Sequence, residues 1–275
     1  MADVVRRFAA FRNGPHRWVL GRIITPVARL DEFERSASEV LADAYHAEPW
    51  RVSVIAAPPL DEAMSRVWEF NGRFGSCSGR EIVIDSVEVN AETESAVELA
   101  ADAVPAGFEL FIEVPLTGGS DGLLAAIARS GAMAKIRTGG VTPGQIPAAA
   151  DLANVLVACH RAGAPFKATA GLHHPLRSER FLTYEASSQR ATMHGFLNLL
   201  VAAAFVAASS FDAARVTAVL QDDSPESFVF GPDALLWRGH RLGLLEARAA
   251  RQFFRSFGSC SFEEPIEGLQ RLGLA

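Results

Sequence analysis

Two lysines are the residues of this chain with the clearest capacity for covalent or acid–base chemistry. The sequence has 26 Lys and Arg residues together, and only Lys135 and Lys167 are lysines. A lysine amine can lose its proton and act as a base or a nucleophile, whereas a guanidinium stays protonated. In so arginine-rich a chain, the two lysines predict positions where a guanidinium cannot replace an amine.

Both lysines lie near the carboxyl ends of short apolar segments, AMAKIRTGG and APFKATAG. In a strand, Lys135 shares a face with Arg137, and Lys167 shares a face with Thr169. If the segments are adjacent strands, the two ammonium groups lie close together, which favours the neutral amine that attacks a carbonyl. The alternative is that both amines bind an anionic ligand or pair with a carboxylate such as Glu113.

Three histidines could supply a general acid, a general base or a metal ligand. His173 and His174 follow the second lysine segment. Because adjacent side chains tend to point apart, we expect at most one of them to face a site. His194 and Asn198 are four residues apart and would share a helical face. Such a pair suits hydrogen bonding to a substrate, or it is buried and bonded to backbone groups.

The segment GSCSFEEP combines hydroxyl, thiol and carboxylate side chains. Ser259 and Ser261 could bind a phosphate ahead of a short helix, but the glutamates that follow oppose an anion and suit the first turn of that helix. Cys260 lacks a nucleophile motif. A metal site could combine His173 or His174 with His194, Cys260 and Glu263. Their spacing is not diagnostic, so we expect no metal and no cofactor.

Apolar segments alternate with segments of helical periodicity along the chain, which is typical of repeated βα units and a parallel sheet. Eight strands are predicted, at residues 18–25, 52–57, 82–87, 108–114, 132–137, 165–169, 227–230 and 257–262. Helices are predicted at residues 30–45, 61–71, 91–103, 121–130, 146–161, 189–208, 212–220 and 242–255, with a short last one from Pro265. The pattern predicts one α/β domain over residues 1–275, a TIM-like (β/α)8 barrel with an irregular last third. An open doubly wound sheet is the alternative. Barrel active sites lie at the carboxyl ends of the strands, where both lysines are expected.

The composition of the chain argues against two classes of partner. The chain has 275 residues, 49% of them hydrophobic, and a net charge of −6 without a basic cluster, which argues against nucleic acid or an anionic membrane as a partner. The longest apolar stretch, residues 196–208, is too short to span a bilayer.

The three cysteines lack disulfide spacing and the first residues lack a signal-peptide pattern, so a cytoplasmic location is expected. The sequence leaves homo-oligomerisation open.

The order of EIVIDSVEVN, LFIEVP, AKIRTGG and FKATAG resembles the run of strands in deoxyribose-phosphate aldolases, over residues 82–171. The resemblance implies a barrel fold and class I aldolase chemistry. It implies that Lys135 forms a Schiff base, that Lys167 tunes it and that Asp85 assists proton transfer. Arg137 beside the nucleophile departs from the family pattern, and TAGLHHP stands where the family has a glycine-rich phosphate loop.

Together these features predict an enzyme that acts on a small anionic carbonyl or sugar-phosphate-like metabolite through an active-site lysine. Its catalytic groups would come from Lys135, Lys167, Asp85, Glu113, His173 and His194. Its substrate-binding groups would be Arg137, Thr169, His174, Asn198, Ser259 and Ser261. One alternative is a metal-dependent lyase or hydrolase that uses the His, Cys and Glu side chains. The other is a non-catalytic protein that binds an anionic metabolite.

Overall fold

The computed structural model describes residues 1–41, 48–74, 82–116 and 119–274. The strands are β1 (Ile23–Pro26), β2 (Trp50–Ile55), β3 (Ile82–Asn90), β4 (Glu109–Glu113), β5 (Met133–Arg137), β6 (Phe166–Thr169), β7 (Ser178–Phe181), β8 (Arg190–Met193), β9 (Phe228–Phe230), β10 (Ala234–Trp237), β11 (His240–Gly243) and β12 (Phe254–Phe257). The helices are α1 (Ala2–Arg12), α2 (Leu30–Leu41), α3 (Leu60–Phe74), α4 (Glu94–Ala103), α5 (Asp121–Ser130), α6 (Ala149–Ala162), α7 (Phe196–Ala207), α8 (Ala213–Gln221), α9 (Leu244–Phe253) and α10 (Glu263–Arg271). Short 3-10 turns cover Arg17–Val19, Val27–Arg29, Pro143–Gln145 and Pro225–Ser227.

Seven strands form one sheet in the order β1-β2-β3-β4-β5-β6-β12. The pairs β1–β2, β2–β3, β5–β6 and β6–β12 are parallel. β1 and β12 are the edge strands of this sheet in the described part of the chain. The α/β class and the open sheet are therefore confirmed, and the closed eight-stranded barrel is wrong.

The seventh predicted strand exists as β9, but it pairs outside the main sheet. β9, β10 and β11 form an antiparallel sheet in the order β11-β10-β9. Arg238 and Gly239 join β10 to β11 with positive φ angles of 46° and 81°, as a two-residue hairpin turn requires. Because β9 pairs locally, β12 takes the place beside β6, and it covers Phe254–Phe257 rather than the predicted 257–262.

The predicted start of the helix at residues 189–208 is wrong. β8 pairs antiparallel with β7, and α7 begins only at Phe196, after the N-cap Gly195. His194 therefore precedes the helix and does not share a helical face with Asn198. Elsewhere, the helix predicted at residues 121–130 has the bounds of α5. Residues 42–45 of the helix predicted at 30–45 lie outside the described residues.

The contacts within the chain define two compact units, Met1–Ile112 with Ser130–Ala132 and Glu113–Arg129 with Met133–Ala275. In the core of the first unit, Phe8 packs edge-on against Trp50 with ring centroids 5.0 Å apart. In the second unit, Phe166 stacks on Phe254 at 4.9 Å, and α7 packs against α8 and α9. The prediction of a single domain stays a prediction.

None of the helices within residues 1–41, 48–74, 82–116 and 119–274 has the length and apolar character needed to cross a lipid bilayer.

Candidate functional site

The two lysines lie side by side on β5 and β6. Lys135 and Lys167 are register partners in this parallel pair, and each is only 4% exposed. The Nζ of Lys135 is 2.9 Å from Oε2 of Glu113, and the Nε of Arg137 donates to the other oxygen, Oε1, at 2.8 Å. The alternative in which Lys135 pairs with Glu113 thus corresponds to a contact in the structure. Thr169 is the register partner of Arg137.

The carboxylate of Glu113 is held in its charged form. Burial raises its pKa, but hydrogen bonds from Arg137 and Lys135 outweigh burial and leave the pKa below the ordinary value. Glu113 is therefore a hydrogen-bond acceptor and a counter-charge at neutral pH. An ionised carboxylate carries no proton that it could donate.

Asp85 lies in the first unit, on β3. Its carboxylate pairs with the guanidinium groups of Arg22 and Arg51, and Arg22 also donates to Glu109 at 2.8 Å. Arg22 immediately precedes β1, and Glu109 is the first residue of β4. This cluster therefore lies at the amino ends of parallel strands, whereas barrel-type active sites use the carboxyl ends.

His194 and Asn198 are bonded to backbone groups, as the second interpretation of this pair expected. The Nε2 of His194 lies 2.9 Å from the carbonyl oxygen of Pro147, and burial lowers the pKa of the imidazole. The side chain of Asn198 accepts from the backbone N–H of Arg177 at 2.9 Å and donates to the carbonyl oxygens of Val219 at 2.8 Å and Asp222 at 2.6 Å. Asn198 thus ties α7 to the end of α8.

A second constellation lies beyond the carboxyl ends of β6 and β12, within the second unit. His173 follows β6 by four residues, and Cys260 follows β12 by three. The two strands are adjacent, and the N–H of Gly258 donates to the carbonyl oxygen of Ala168 at 2.9 Å. The two connecting segments therefore leave the sheet next to each other, which brings the imidazole to the thiol.

The imidazole of His173 bridges a thiol and a carboxylate. Its Nε2 lies 3.4 Å from Sγ of Cys260, and its Nδ1 lies 2.7 Å from Oε2 of Glu264. Glu264 is in the first turn of α10. The hydroxyl of Tyr184, from the segment between β7 and β8, donates to the same Oε2 at 2.9 Å and lies 4.0 Å from the sulfur. The four side chains form one connected group, here called the thiol cluster.

The contacts of the thiol cluster shift the pKa values of Cys260 and His173 toward the charged forms, a thiolate and an imidazolium. The hydrogen bond with His173 is the largest influence on Cys260, and it lowers the thiol pKa against the opposing effect of burial. The hydrogen bond with Cys260 and that with Glu264 raise the pKa of His173, although burial opposes them. By contrast, burial raises the pKa of Cys159, which is completely enclosed, to about 12. Only thiolates are good nucleophiles, so these shifts favour Cys260 over Cys159 as a nucleophile.

A cavity of about 370 Å³ opens beside the thiol cluster. It is lined by His173, His174, Arg180, Phe181, Leu182, Thr183, Tyr184, Glu185, Ala186, Met193, Cys260 and Glu264. Both adjacent histidines line this cavity, so the expectation that at most one would face a site is wrong. Burial and, next, the charge of Arg180 lower the pKa of His174, which keeps that ring neutral.

The predicted phosphate-binding serines serve the local backbone. Ser259 Oγ accepts from the N–H of Ser261 at 3.3 Å, and Ser261 Oγ accepts from the N–H of Glu264 at 3.2 Å. Ser261 therefore supports the start of α10, where backbone N–H groups lack helical partners. In this way it helps to hold Glu264 in place.

The sequence did not predict that Tyr184, Glu264 and Cys260 would lie together around His173. The sequence did contain a signal for the proximity of His173 to Cys260 and Glu264. The polar segments HHP and CSFEE each follow a strand, and both could be expected at the same end of a parallel sheet. Their proximity depended on β12 lying beside β6. For Tyr184 the signal was missing, because the β7–β8 hairpin was not predicted.

The described residues include no group of three or more His, Cys, Asp or Glu side chains arranged to hold a metal ion. Comparison with protein-family models gave no match, and comparison with curated proteins gave no significant similarity. The resemblance to deoxyribose-phosphate aldolases therefore stays a prediction.

Proposed function

We propose that this chain is an enzyme that uses Cys260 as a nucleophile toward an acyl carbon, with His173 as acid–base group and Glu264 as the residue that orients it. One observation carries the proposal: beside a cavity, the Cys260 sulfur lies 3.4 Å from Nε2 and 4.0 Å from Nδ1 of His173, and Nδ1 lies 2.7 Å from the Glu264 carboxylate. A nucleophile, a base and a group that orients the base are the parts of a catalytic triad on any fold.

The chemistry follows from these contacts. The Cys260 thiolate forms a bond to the carbonyl carbon of an ester or thioester, and the bond from that carbon to the leaving group breaks. The leaving group takes the proton held on Nε2 of His173. Water then gives a proton back to Nε2 and attacks the acyl-enzyme, which releases the acid and the thiolate. Throughout, Glu264 holds the ring through Nδ1–H, and it stabilises the positive charge of the ring whenever Nε2 also carries a proton.

The test measures the alkylation of Cys260 by iodoacetamide between pH 5 and 9, quantified by peptide mass mapping, together with hydrolysis of a panel of activated esters and thioesters. We expect native Cys260 to react at pH 6 much faster than the same cysteine in the urea-unfolded chain. Cys260→Ser should abolish hydrolysis, whereas the matched variant Cys159→Ser should retain it. An ordinary thiol pH profile for native Cys260 would contradict the proposal.

A second candidate function keeps the lysines as the reactive groups, acting on a small anionic carbonyl or sugar-phosphate-like metabolite. The observation that favours it is the register match of the two buried amines, Lys135 and Lys167, on neighbouring strands. Sodium borohydride trapping against aldehydes, ketones and keto acids tests it by the mass of peptides that contain each lysine. An adduct at either lysine that is lost in its Arg variant would support Schiff-base chemistry. Absence of adducts from the whole panel would leave the lysines with electrostatic roles.

A further inference from the structure

We infer that the cavity beside Cys260 selects substrates that carry an anionic group, and that Arg180 binds this group. The inference rests on the proposed function, because it names the substrate class of the same site.

Arg180 is the permanently charged cation of the cavity lining. Its Nε donates to Ser178 Oγ at 3.2 Å, and no carboxylate ion-pairs with it among residues 1–41, 48–74, 82–116 and 119–274. Arg190, another arginine of the same hairpin, differs from Arg180 in its position relative to the cavity and in its ion pairing. Arg190 is outside the lining, lies 3.5 Å from the Glu179 carboxylate and stacks over Phe181. The guanidinium of Arg180 is thus available to a ligand in the cavity.

Three other titratable groups of the lining form no ion pair with Arg180 in the described part of the chain. Glu264 already accepts hydrogen bonds from His173 and Tyr184. His174 is kept neutral because burial and Arg180 both lower its pKa. Glu185 lies on the segment between the hairpin strands and makes no ion pair with Arg180 in the described part of the chain.

The rest of the lining describes the body of the substrate. Phe181, Leu182 and Met193 give the cavity an apolar side, while Cys260 and His173 supply the reactive side. A cavity of about 370 Å³ accepts a small molecule. The geometry therefore points to a short acyl compound with an apolar portion and a carboxylate or phosphate, whose reactive carbon lies at the thiol.

Two alkylating probes of nearly equal size test this inference. Iodoacetate is anionic and iodoacetamide is neutral. In both, the thiolate sulfur forms a bond to the methylene carbon as the carbon–iodine bond breaks and iodide leaves, which adds a carboxymethyl or a carbamoylmethyl group. The measured quantity is the ratio of their second-order rate constants at Cys260, iodoacetate over iodoacetamide, at low ionic strength. We expect the native ratio to exceed that of the urea-unfolded chain and to fall about two- to fivefold in Arg180→Gln, the effect of one partly exposed ion pair. Added salt should reduce the native ratio as well.

Matched variants separate a local contact from a general change of charge. Arg190→Gln removes the same charge from the same hairpin and should leave the ratio unchanged. Arg180→Lys keeps a cation and should retain most of the preference, and Glu185→Gln should leave it equal or higher. Thermal unfolding and the iodoacetamide rate show whether each variant is folded. If Arg180→Gln does not fold, Arg180→Lys and the salt dependence of the native protein decide the question.

The outcomes distinguish this inference from the proposed function. If native Cys260 reacts with iodoacetamide no faster than in the unfolded chain, the proposed function is wrong. If Cys260 is reactive but the ratio is the same in native protein and Arg180→Gln, the thiol proposal stands and the anion-binding role of Arg180 is overturned.

Discussion

At the scale of single residues, His173 determines how reactive Cys260 is. The imidazolium lowers the thiol pKa, so removing it should move that pKa up toward the ordinary value near 8.5. An ordinary thiol is only about 1% thiolate at pH 6.5, so alkylation of Cys260 in His173→Gln should be roughly tenfold slower at that pH. Its rise with pH should begin at a higher pH than in the wild type. Peptide-mapped iodoacetamide kinetics measure both effects.

His174→Gln is the control for this prediction. His174 lines the same cavity and lies in the same segment, but it makes no hydrogen bond to Cys260 in the described residues. We expect its pH profile to match that of the wild type. Equal shifts in both variants would indicate that the cavity, rather than the His173 contact, sets the thiol pKa.

Glu264 acts on the thiol mainly through His173, since its direct charge effect, which raises the thiol pKa, is the smallest influence on Cys260. Its hydrogen bond and charge raise the imidazole pKa, and this effect is lost when Glu264→Gln removes the charge. The thiolate–imidazolium pair should then be less stable. The expected readout is a shift of the Cys260 alkylation profile to higher pH, smaller than that in His173→Gln. Glu263→Gln removes an equivalent charge one residue away and should not shift it.

At the scale of secondary-structure elements, α10 must pack closely on the His173 segment for the thiol cluster to form. Gly268, in the middle of α10, has no room for a side chain, because a Cβ there would lie 2.5 Å from Cδ of Pro175. Gly268→Ala should therefore push α10 away from the segment that carries His173. Since Glu264 is on the same helix, we expect slower alkylation of Cys260 at pH 6.5 and a lower melting temperature.

Gly144→Ala provides the comparison for this prediction, because a Cβ at that glycine meets nothing within 4 Å. It should leave both the alkylation rate and the melting temperature near wild type. If Gly268→Ala also has wild-type alkylation kinetics, close packing of α10 is not required for the reactivity of Cys260.

The elements also show what the sequence could predict. The bounds of α5 and the adjacency of Lys135 and Lys167 follow from local periodicity, which a sequence displays directly. The contacts between the two segments of the thiol cluster join residues that are 76 to 91 positions apart, and they depend on which strand pairs with β6. β9 pairs with β10 in a separate sheet while β12 pairs with β6, and periodicity does not reveal this difference. The β7–β8 hairpin was missed because its eight-residue connection, residues 182–189, carries no short hairpin-turn signal.

At the scale of the whole molecule, a buried carboxylate makes stability depend on pH. Asp222 is almost fully enclosed and accepts from Arg238 Nε at 2.7 Å and Trp237 Nε1 at 2.8 Å. Burial raises its pKa, but these hydrogen bonds, with that from Arg238 the largest, outweigh burial and leave the pKa below the ordinary value. The carboxylate thus joins the end of α8 to the β10 strand and its hairpin turn.

The sign of the pH effect follows from that depressed pKa. A carboxyl group that is more acidic in the folded state stabilises the fold above its unfolded pKa of about 3.9, and this contribution is lost as the pH falls through the lower folded value. Asp222→Asn removes the charge, so it should reduce the free energy of unfolding by about 1–3 kcal/mol at pH 7. The difference from wild type should begin to shrink below about pH 4, where Asp222 of the unfolded chain takes up a proton, and should be lost as the pH falls through the lower folded pKa.

Urea unfolding at a series of pH values measures this difference, with Asp212→Asn as the matched variant. Asp212 is the exposed N-cap of α8, where its side chain accepts from the N–H of Arg215 at 2.9 Å, and an asparagine caps a helix equally well. Asp212→Asn should therefore cost less than about 0.5 kcal/mol at every pH. A constant deficit for Asp222→Asn from pH 7 down to pH 3 would show that its effect comes from altered packing. A deficit that disappears in acid would assign the stabilisation to the charged carboxylate, because only that form is lost from the wild-type protein as the pH falls.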